Sequence, residues 1–366
     1  MKILFCGTPD FAVPTLRRLH GEKFEIAAVV TQPDRPKGRG LEPAESPVKA
    51  AAVELGLRVE QPDKLKGEAG RALLERYQPD AVVIVGYGQI IPANLLAIPQ
   101  HGWINLHGSL LPKYRGAAPV QWALINGETT TGVTTMRIDA GLDTGPIFLQ
   151  REVEISDEDN AVTLAARLAE LGAELMVESL RGIDAGTLAP KPQDNSKASK
   201  APLLKKEHGK LDWSQPARAV FNSVRGLVPW PGAYTSFRGQ LVHIWRGKPV
   251  QEVEEEEGLE LKKLAGLTGD EEKRAIESAH QKVSGMGISS DDPGYVAAFR
   301  HALPWPTPGT SVVGNGLFLA KNTLYVACGE NTWLRLEELQ PANRKRMAAS
   351  DFINGLHLHT GERFES

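Results

Sequence analysis

Up to residue 180, short apolar runs alternate with stretches whose apolar positions recur at helical spacing. Residues 2–6, 25–31, 81–85, 103–106, 132–138 and 147–155 are strand-like. Between them, 12–19, 47–55, 67–77, 120–125 and the long 161–180 are helical in pattern. Short buried strands alternating with helices predict βαβ units and a mostly parallel sheet, an α/β class. Ser46-Pro47 carries the cap and first-turn signal of a helix start. After Gly186 the pattern changes. Residues 189–207 are polar, with Pro and Lys throughout, and read as a basic linker. One helical stretch then follows, 217–227, before strand-like runs at 241–245, 317–320, 323–328 and 333–336. Strands at that spacing predict a small barrel. The domain boundary is placed near 205.

Composition narrows the classes. The 36 Gly and 25 Pro are above ordinary usage and fit short elements joined by sharp turns. With 42 basic and 45 acidic side chains the net charge is −3, so any nucleic-acid contact must be a basic stripe rather than a basic protein. Residues 251–272 hold nine acids and two lysines. That acidic run, and the aperiodic stretch to about 306 with its Gly, Ser, Asp and Pro clusters, predict a solvated insertion between barrel strands. The longest strongly apolar run, 81–85, is far too short to span a membrane. The N-terminus turns at Gly7-Thr8-Pro9-Asp10 too soon for a signal peptide. Cys6 and Cys328 alone cannot build a disulfide framework or a cysteine-rich metal site. The chain reads as cytoplasmic.

Strand 2–6 ends in Gly7-Thr8-Pro9-Asp10-Phe11, with one glycine where a dinucleotide loop needs three, and Pro9 lacks a donor. No phosphate-binding Gly-x-x-x-x-Gly-Lys follows any strand either, so nicotinamide, flavin and nucleotide chemistry are disfavoured. The densest segment is Trp103-Ile104-Asn105-Leu106-His107-Gly108-Ser109-Leu110-Leu111-Pro112-Lys113-Tyr114-Arg115-Gly116. Period-2 geometry puts Asn105 and His107 on one face at a strand end, where open α/β sheets bind ligands. An amide donor and an imidazole there could hold a carbonyl oxygen as it becomes an oxyanion. A capping Asn with a satisfied structural His would leave the same residues. The loop Asp139-Ala140-Gly141-Leu142-Asp143-Thr144-Gly145 offers an acid to support His107, although Asp139 could equally serve a turn. No second or third ligand stands at metal spacing from His107, so no metal is expected.

Asn105-x-His107-x-Ser109-Leu110-Leu111-Pro112 with Asp143 resembles the signature of folate-dependent formyltransferases. Phe5-Cys6-Gly7-Thr8-Pro9-Asp10-Phe11, Thr31-Gln32-Pro33-Asp34-Arg35-Pro36-Lys37-Gly38-Arg39-Gly40, Val228-Pro229-Trp230-Pro231-Gly232 and Leu339-Gln340-Pro341 extend the likeness along nearly the whole chain. It is nearest to the members that act on charged initiator tRNA. The resemblance implies a Rossmann-like catalytic domain over 1–188, the linker 189–207, and a C-terminal OB-type barrel over 208–366 with the insertion at about 251–306. It implies 10-formyltetrahydrofolate as donor and the α-amine of initiator methionyl-tRNA as acceptor, in a monomer. An acceptor such as glycinamide ribonucleotide or a nucleotide-sugar amine is the alternative. Asn105, His107 and Asp143 are implied as catalytic. Gly86, Tyr87, Gly88, Gln89, Ile90, Asp139 and Ser109, Leu110, Leu111, Pro112 are implied to hold the folate, and Arg35, Lys37, Arg39, Lys205, Lys206 and Arg225 the tRNA. In the linker, the family's Thr-Tyr pair is replaced by Ser199-Lys200.

Overall fold

The computed structural model describes residues 1–37, 42–250, 281, 285, 316–320, 322–330, 332–359 and 362–365. The expected insertion at 251–306 lies outside them apart from 281 and 285, as does Arg39. The chain divides into two units, Met1–Leu204 and Lys205–Ser366.

In the first unit the strands are β1 (Lys2–Gly7), β2 (Glu25–Val30), β3 (Arg35–Lys37), β4 (Glu42–Ala44), β5 (Val59–Glu60), β6 (Ala81–Val85), β7 (Trp103–His107), β8 (Thr130–Arg137) and β9 (Ile147–Glu154). The helices are α1 (Val13–Gly21), α2 (Pro47–Glu54), α3 (Gly67–Tyr77), α4 (Ala93–Leu96), α5 (Pro119–Ile125) and α6 (Ala161–Asp184). Seven strands make one sheet in the order β5-β2-β1-β6-β7-β8-β9. The first five run parallel; β8 and β9 are antiparallel additions at one edge. The chain leaves β1 toward β2 on one side and reaches β6 on the other. This makes a topological switch, and the crevice beyond those strand ends is where such sheets take ligands.

Both faces of the sheet are covered. Ile3, Phe5, Ile104 and Leu106 pack with Leu16 and Leu19 of α1, Val48 of α2 and Leu164 to Ile183 along α6. Leu4, Cys6, Val82 and Trp103 pack on the other face with Leu73, Leu74 and Tyr77 of α3 and Leu95 of α4. The alternation of Trp103 against Ile104 and Leu106 is the period-2 reading of β7 realised. Ser46 Oγ accepts from Lys49 N to start α2, and Asn160 with Thr163 closes a capping box at the head of α6.

The basic segment after β2 acquires local structure: β3 pairs with β4 as a small antiparallel ribbon, Arg35 opposite Ala44 and Lys37 opposite Glu42. Pro is tolerated because the ribbon has only two strands, both of them edges. The segment read as linker also acquires structure. Through Leu204 it lies against the first unit: Lys191 exchanges backbone hydrogen bonds with Ile147, and Ala201 with Arg115 and Ala118.

The second unit begins with α7 (Ala217–Gly226), followed by β10 (Ala233–Phe237), β11 (Gln240–Val250), β12 (Leu317–Ala320), β13 (Thr323–Cys328), β14 (Thr332–Pro341), β15 (Met347–Ala348) and α8 (Ala349–Leu356). The sheet order is β10-β11-β14-β13-β12, with β15 added to β14, all antiparallel. The described residues form a six-stranded antiparallel sheet that does not close on itself among them. Its core holds Trp213 stacked on Phe364 at 5.4 Å, with Phe237 against Phe352 and Phe364.

Candidate active site

Asn105 lies opposite Ile84 of β6 and Met136 of β8, so the sheet fixes its backbone from both sides. Its side-chain amide is partly exposed and has no hydrogen-bond partner among the described residues. Two residues on, His107 is buried. Its Nε2 stands 2.9 Å from the carbonyl oxygen of Tyr114. A carbonyl only accepts, so Nε2 carries the hydrogen and Nδ1 is the atom left for chemistry. Nδ1 faces Asp143 Oδ2 at 3.8 Å.

Asp143 reaches this position by an indirect path. Because β8 runs antiparallel to β7, Arg137 ends beside Ile104, and the following loop must fold back along β7. Gly116 N donates to Asp143 Oδ2 at 2.8 Å, while Asp143 itself takes a left-handed backbone with φ 51°. Asp139 ties its own loop, accepting from Gly141 N at 3.0 Å and Thr144 Oγ1 at 2.6 Å. Of the two acids, Asp139 is the turn residue and Asp143 the one presented to His107.

The turn after β7 is bolted to the neighbouring strands. Thr134 Oγ1 donates to Ser109 O at 2.6 Å and accepts from Leu111 N, and Gln150 Nε2 donates to Leu111 O at 2.8 Å. Ser109 Oγ donates to Lys113 O at 2.7 Å. The Leu111–Pro112 peptide is cis. Ser109 and Leu111 are buried, and an added Cβ on Gly132 would touch Leu110. These three side chains pack within the turn that was expected to face the folate.

The 86–91 segment divides similarly. Tyr87 is fully buried, and its carbonyl accepts from Gln32 Nε2 at 3.1 Å. Burial keeps its phenol protonated, well above the usual tyrosine range. Gln89 Oε1 accepts from Leu65 N at 2.7 Å, so its side chain fastens a neighbouring loop. Gly88, at φ 80°, has open space where a side chain would stand. Ile90 is 91% exposed, and Leu142 in the Asp143 loop is 69% exposed.

Tyr114, Gln193, Thr134 and Gln150 were not singled out from the sequence. Tyr114 donates from its hydroxyl to Glu128 at 2.8 Å, and burial with that carboxylate pushes its pKa up to about 12. Ser199 Oγ accepts from Tyr114 N at 2.9 Å, so the hydroxyl at the departed Thr-Tyr position is used.

Among the residues expected at RNA, Arg225 is corrected. It is 8% exposed, donates to Asn222 Oδ1 at 3.0 Å and lies over the Phe221 ring. Its place on the inner face of α7 makes it a packing cation. Lys205 and Lys206 are exposed. Among the described residues there is no group of three His, Cys, Asp or Glu side chains that could hold a metal, and no helix long and apolar enough to cross a membrane.

Comparison of the whole chain with known proteins gives its class. Residues 1–180 match the family described as formyl transferase, and 203–286 with 295–357 match the formyl transferase C-terminal domain. The chain belongs to the formyl transferase family. Within it, a methionyl-tRNA formyltransferase of Solibacter usitatus is 47% identical over 363 residues, 99% of this chain and 98% of its own. Another, from Koribacter versatilis, is 42% identical over 364 residues, again 99% and 98%. Matches of that extent take in 251–306, so this stretch is not peculiar to the present chain. The crystal structure of WlaRD, a sugar 3N-formyl transferase in the presence of dTDP and 5-N-formyl-THF, has the same fold. Its TM-score is 0.59 at 16% identity, over 94% of this chain and 99% of that one.

Proposed function

We propose that this chain transfers the formyl group of 10-formyltetrahydrofolate to the α-amine of initiator methionyl-tRNA, supporting translation initiation. The full-length likeness to methionyl-tRNA formyltransferases supports the acceptor. The observation that carries the chemistry is the His107 ring. Its Nε2–H is committed to Tyr114 O and its Nδ1 is turned to Asp143, two residues from the partly exposed amide of Asn105.

A flat reduced pterin fits the residues present. Ile90 and Leu142 offer exposed apolar surface, and Gly88 leaves room for a ring to approach backbone. When bound, the folate supplies an electrophilic formyl carbon. The neutral amine adds to that carbon, and its oxygen gains negative charge. The Asn105 amide donates to this oxygen. So does His107 when Nδ1 carries a hydrogen, because 3.8 Å to Asp143 is too long for a hydrogen bond and leaves that N–H uncommitted. As the C–N bond to the folate breaks, the amine loses one proton and the departing nitrogen gains one. Asp143 is the carboxylate placed to carry it, directly or through water.

We assign the tRNA phosphates to cations of each unit taken separately, Arg35, Lys37 and Arg39 of the first and Lys205, Lys206 and the exposed Arg344, Lys345 and Arg346 of the second. We read the second unit as an OB-type barrel. The long β11–β14 pair, whose register shifts near Arg246, supplies the bend that such a barrel requires. One chain carries every candidate residue, so we read it as a monomer, acting in the cytoplasm because its acceptor is a charged initiator tRNA. The test is incubation with 10-formyltetrahydrofolate and charged initiator tRNA. Formyl-methionyl-tRNA is the expected product. Formylation of glycinamide ribonucleotide with no formylated methionine would overturn the reading.

A further inference from the structure

Gln193 is bonded to the loop that carries Asp143. Its Nε2 donates to the carbonyl of Asp143 at 2.9 Å and to that of Gly145 at 2.7 Å. Its Oε1 accepts from Arg115, Nε at 3.2 Å and Nη2 at 2.7 Å. The carboxamide's two N–H groups and its oxygen are therefore all engaged. Arg115 in turn precedes Gly116, whose N–H holds the Asp143 carboxylate. Gln193 thus joins Asp143 from two sides, through the backbone carbonyl of Asp143 and through the residue next to its carboxylate's donor.

The loop needs such a restraint. Asp143 is held at φ 51°, a conformation a non-glycine residue adopts only when its surroundings impose it. On the far side the loop closes tightly: an added Cβ at Gly145 would sit 1.8 Å from Arg137 O. Between those points, Gln193 is the side chain that grips both ends of the short Asp143–Gly145 arc.

We infer that Gln193 is a positioning residue for formyl transfer, fixing the peptide of Asp143 and with it the spacing to His107. This rests on the role given to Asp143 above. Gln193 is not alone in docking 189–204. Arg115 N to Ser199 O at 2.8 Å, Ala201 N to Arg115 O at 2.7 Å and the Lys191–Ile147 pair also hold it.

Gln193→Met keeps the length of the side chain and removes its polar atoms. Initial rates with 10-formyltetrahydrofolate and charged initiator tRNA should show kcat lowered about 10- to 100-fold, the range for a small misplacement of a reacting group. Both KM values and Tm should stay close to the parent. In an Asp143→Ala background the same change should lower kcat no further. Gln193→Glu, which retains the Arg115 contact but turns acceptors toward two carbonyls, should match Gln193→Met, and it serves if that variant fails to fold. Parental kcat in the Gln193 variants, with Asp143→Ala slow, overturns this inference alone. So does a loss that adds in full to that of Asp143→Ala, or a fall in Tm with the kcat of folded enzyme unchanged. Parental kcat in Asp143→Ala overturns the role of Asp143 and this inference together.

Discussion

At the scale of single residues, His107 matters through the nitrogen it has already spent. With Nε2–H held by Tyr114 O, the ring cannot flip to offer Nε2 to a ligand without breaking a buried hydrogen bond. Chemistry at Nδ1 therefore starts from one tautomer and one orientation. Asn105 is the complementary case, an amide at a strand end with no hydrogen-bond partner among the described residues. Asn105→Ala should lower kcat for formyl transfer about 10²- to 10³-fold while folate KM changes little, because the missing donor acts on charge that develops during reaction. Steady-state kinetics check this, and a few-fold loss would remove Asn105 from the proposed role. These residues were legible in the sequence because Asn, His and Asp beside Gly-rich turns are chemically conspicuous. Arg225 was misleading for the converse reason. A cation on a short amphipathic helix does not disclose which face turns inward, and Asn222 and Phe221 give it a buried seat.

At the scale of elements, periodic segments were read well and aperiodic ones poorly. α3, β6, β12 and β13 fall where the pattern placed them, since burial on a sheet imposes a period that survives in the sequence. The β3–β4 ribbon and 189–204 carry no period, and their order comes from specific hydrogen bonds. The ribbon's root is one example: Lys49 is paired with Asp34, and Gln61 Nε2 donates to Asp34 Oδ1 at 2.8 Å. If the ribbon meets RNA phosphates, replacing Arg35, Lys37 and Arg39 with Ala should raise KM for tRNA. It should also flatten the log–log salt dependence by about 0.7–0.9 for each phosphate no longer neutralised. Titrating salt in the kinetic assay tests this, and an unchanged slope would place the RNA phosphates elsewhere. The head of α6 gives a stability counterpart. Asp159 is buried, which alone would raise its pKa. The Ser156 N–H and the Arg167 guanidinium, 2.6 Å away, outweigh that and hold it below the usual carboxylate range. A depressed folded pKa means stability present at neutral pH and lost as pH falls from roughly 4, the unfolded value, through the lower folded one. Asp159→Asn should therefore destabilise the first unit by about 1–3 kcal/mol at pH 7, with the gap to the parent narrowing in that acid range. Urea unfolding across pH measures it.

At the scale of the whole molecule, the boundary at Leu204–Lys205 separates two units that the texture of the sequence also suggested, but the tail of the first was hidden. Residues 189–204 look like spacer because Pro, Lys, Ser and Asn dominate them. Physically they belong to the first unit. Ala201 shares a small apolar cluster with Tyr114 and Ala123, and Gly116, at φ 130°, leaves no room for a Cβ beside Ala201 O. That attachment sets the seam along which the protein can be divided in module exchange. A hybrid that joins this first unit to a relative's second unit at 204/205 carries its own fastening for the Asp143 loop. One joined at 188/189 brings in foreign residues to hold a native loop. Single-turnover formyl transfer should be faster in the first hybrid than in the second, with acceptor binding common to both. Equal rates would mean the tail is interchangeable. With the first hybrid the faster, the exchangeable part of this enzyme begins after its apparent linker, and a stretch that looks like connecting thread travels with the catalytic sheet.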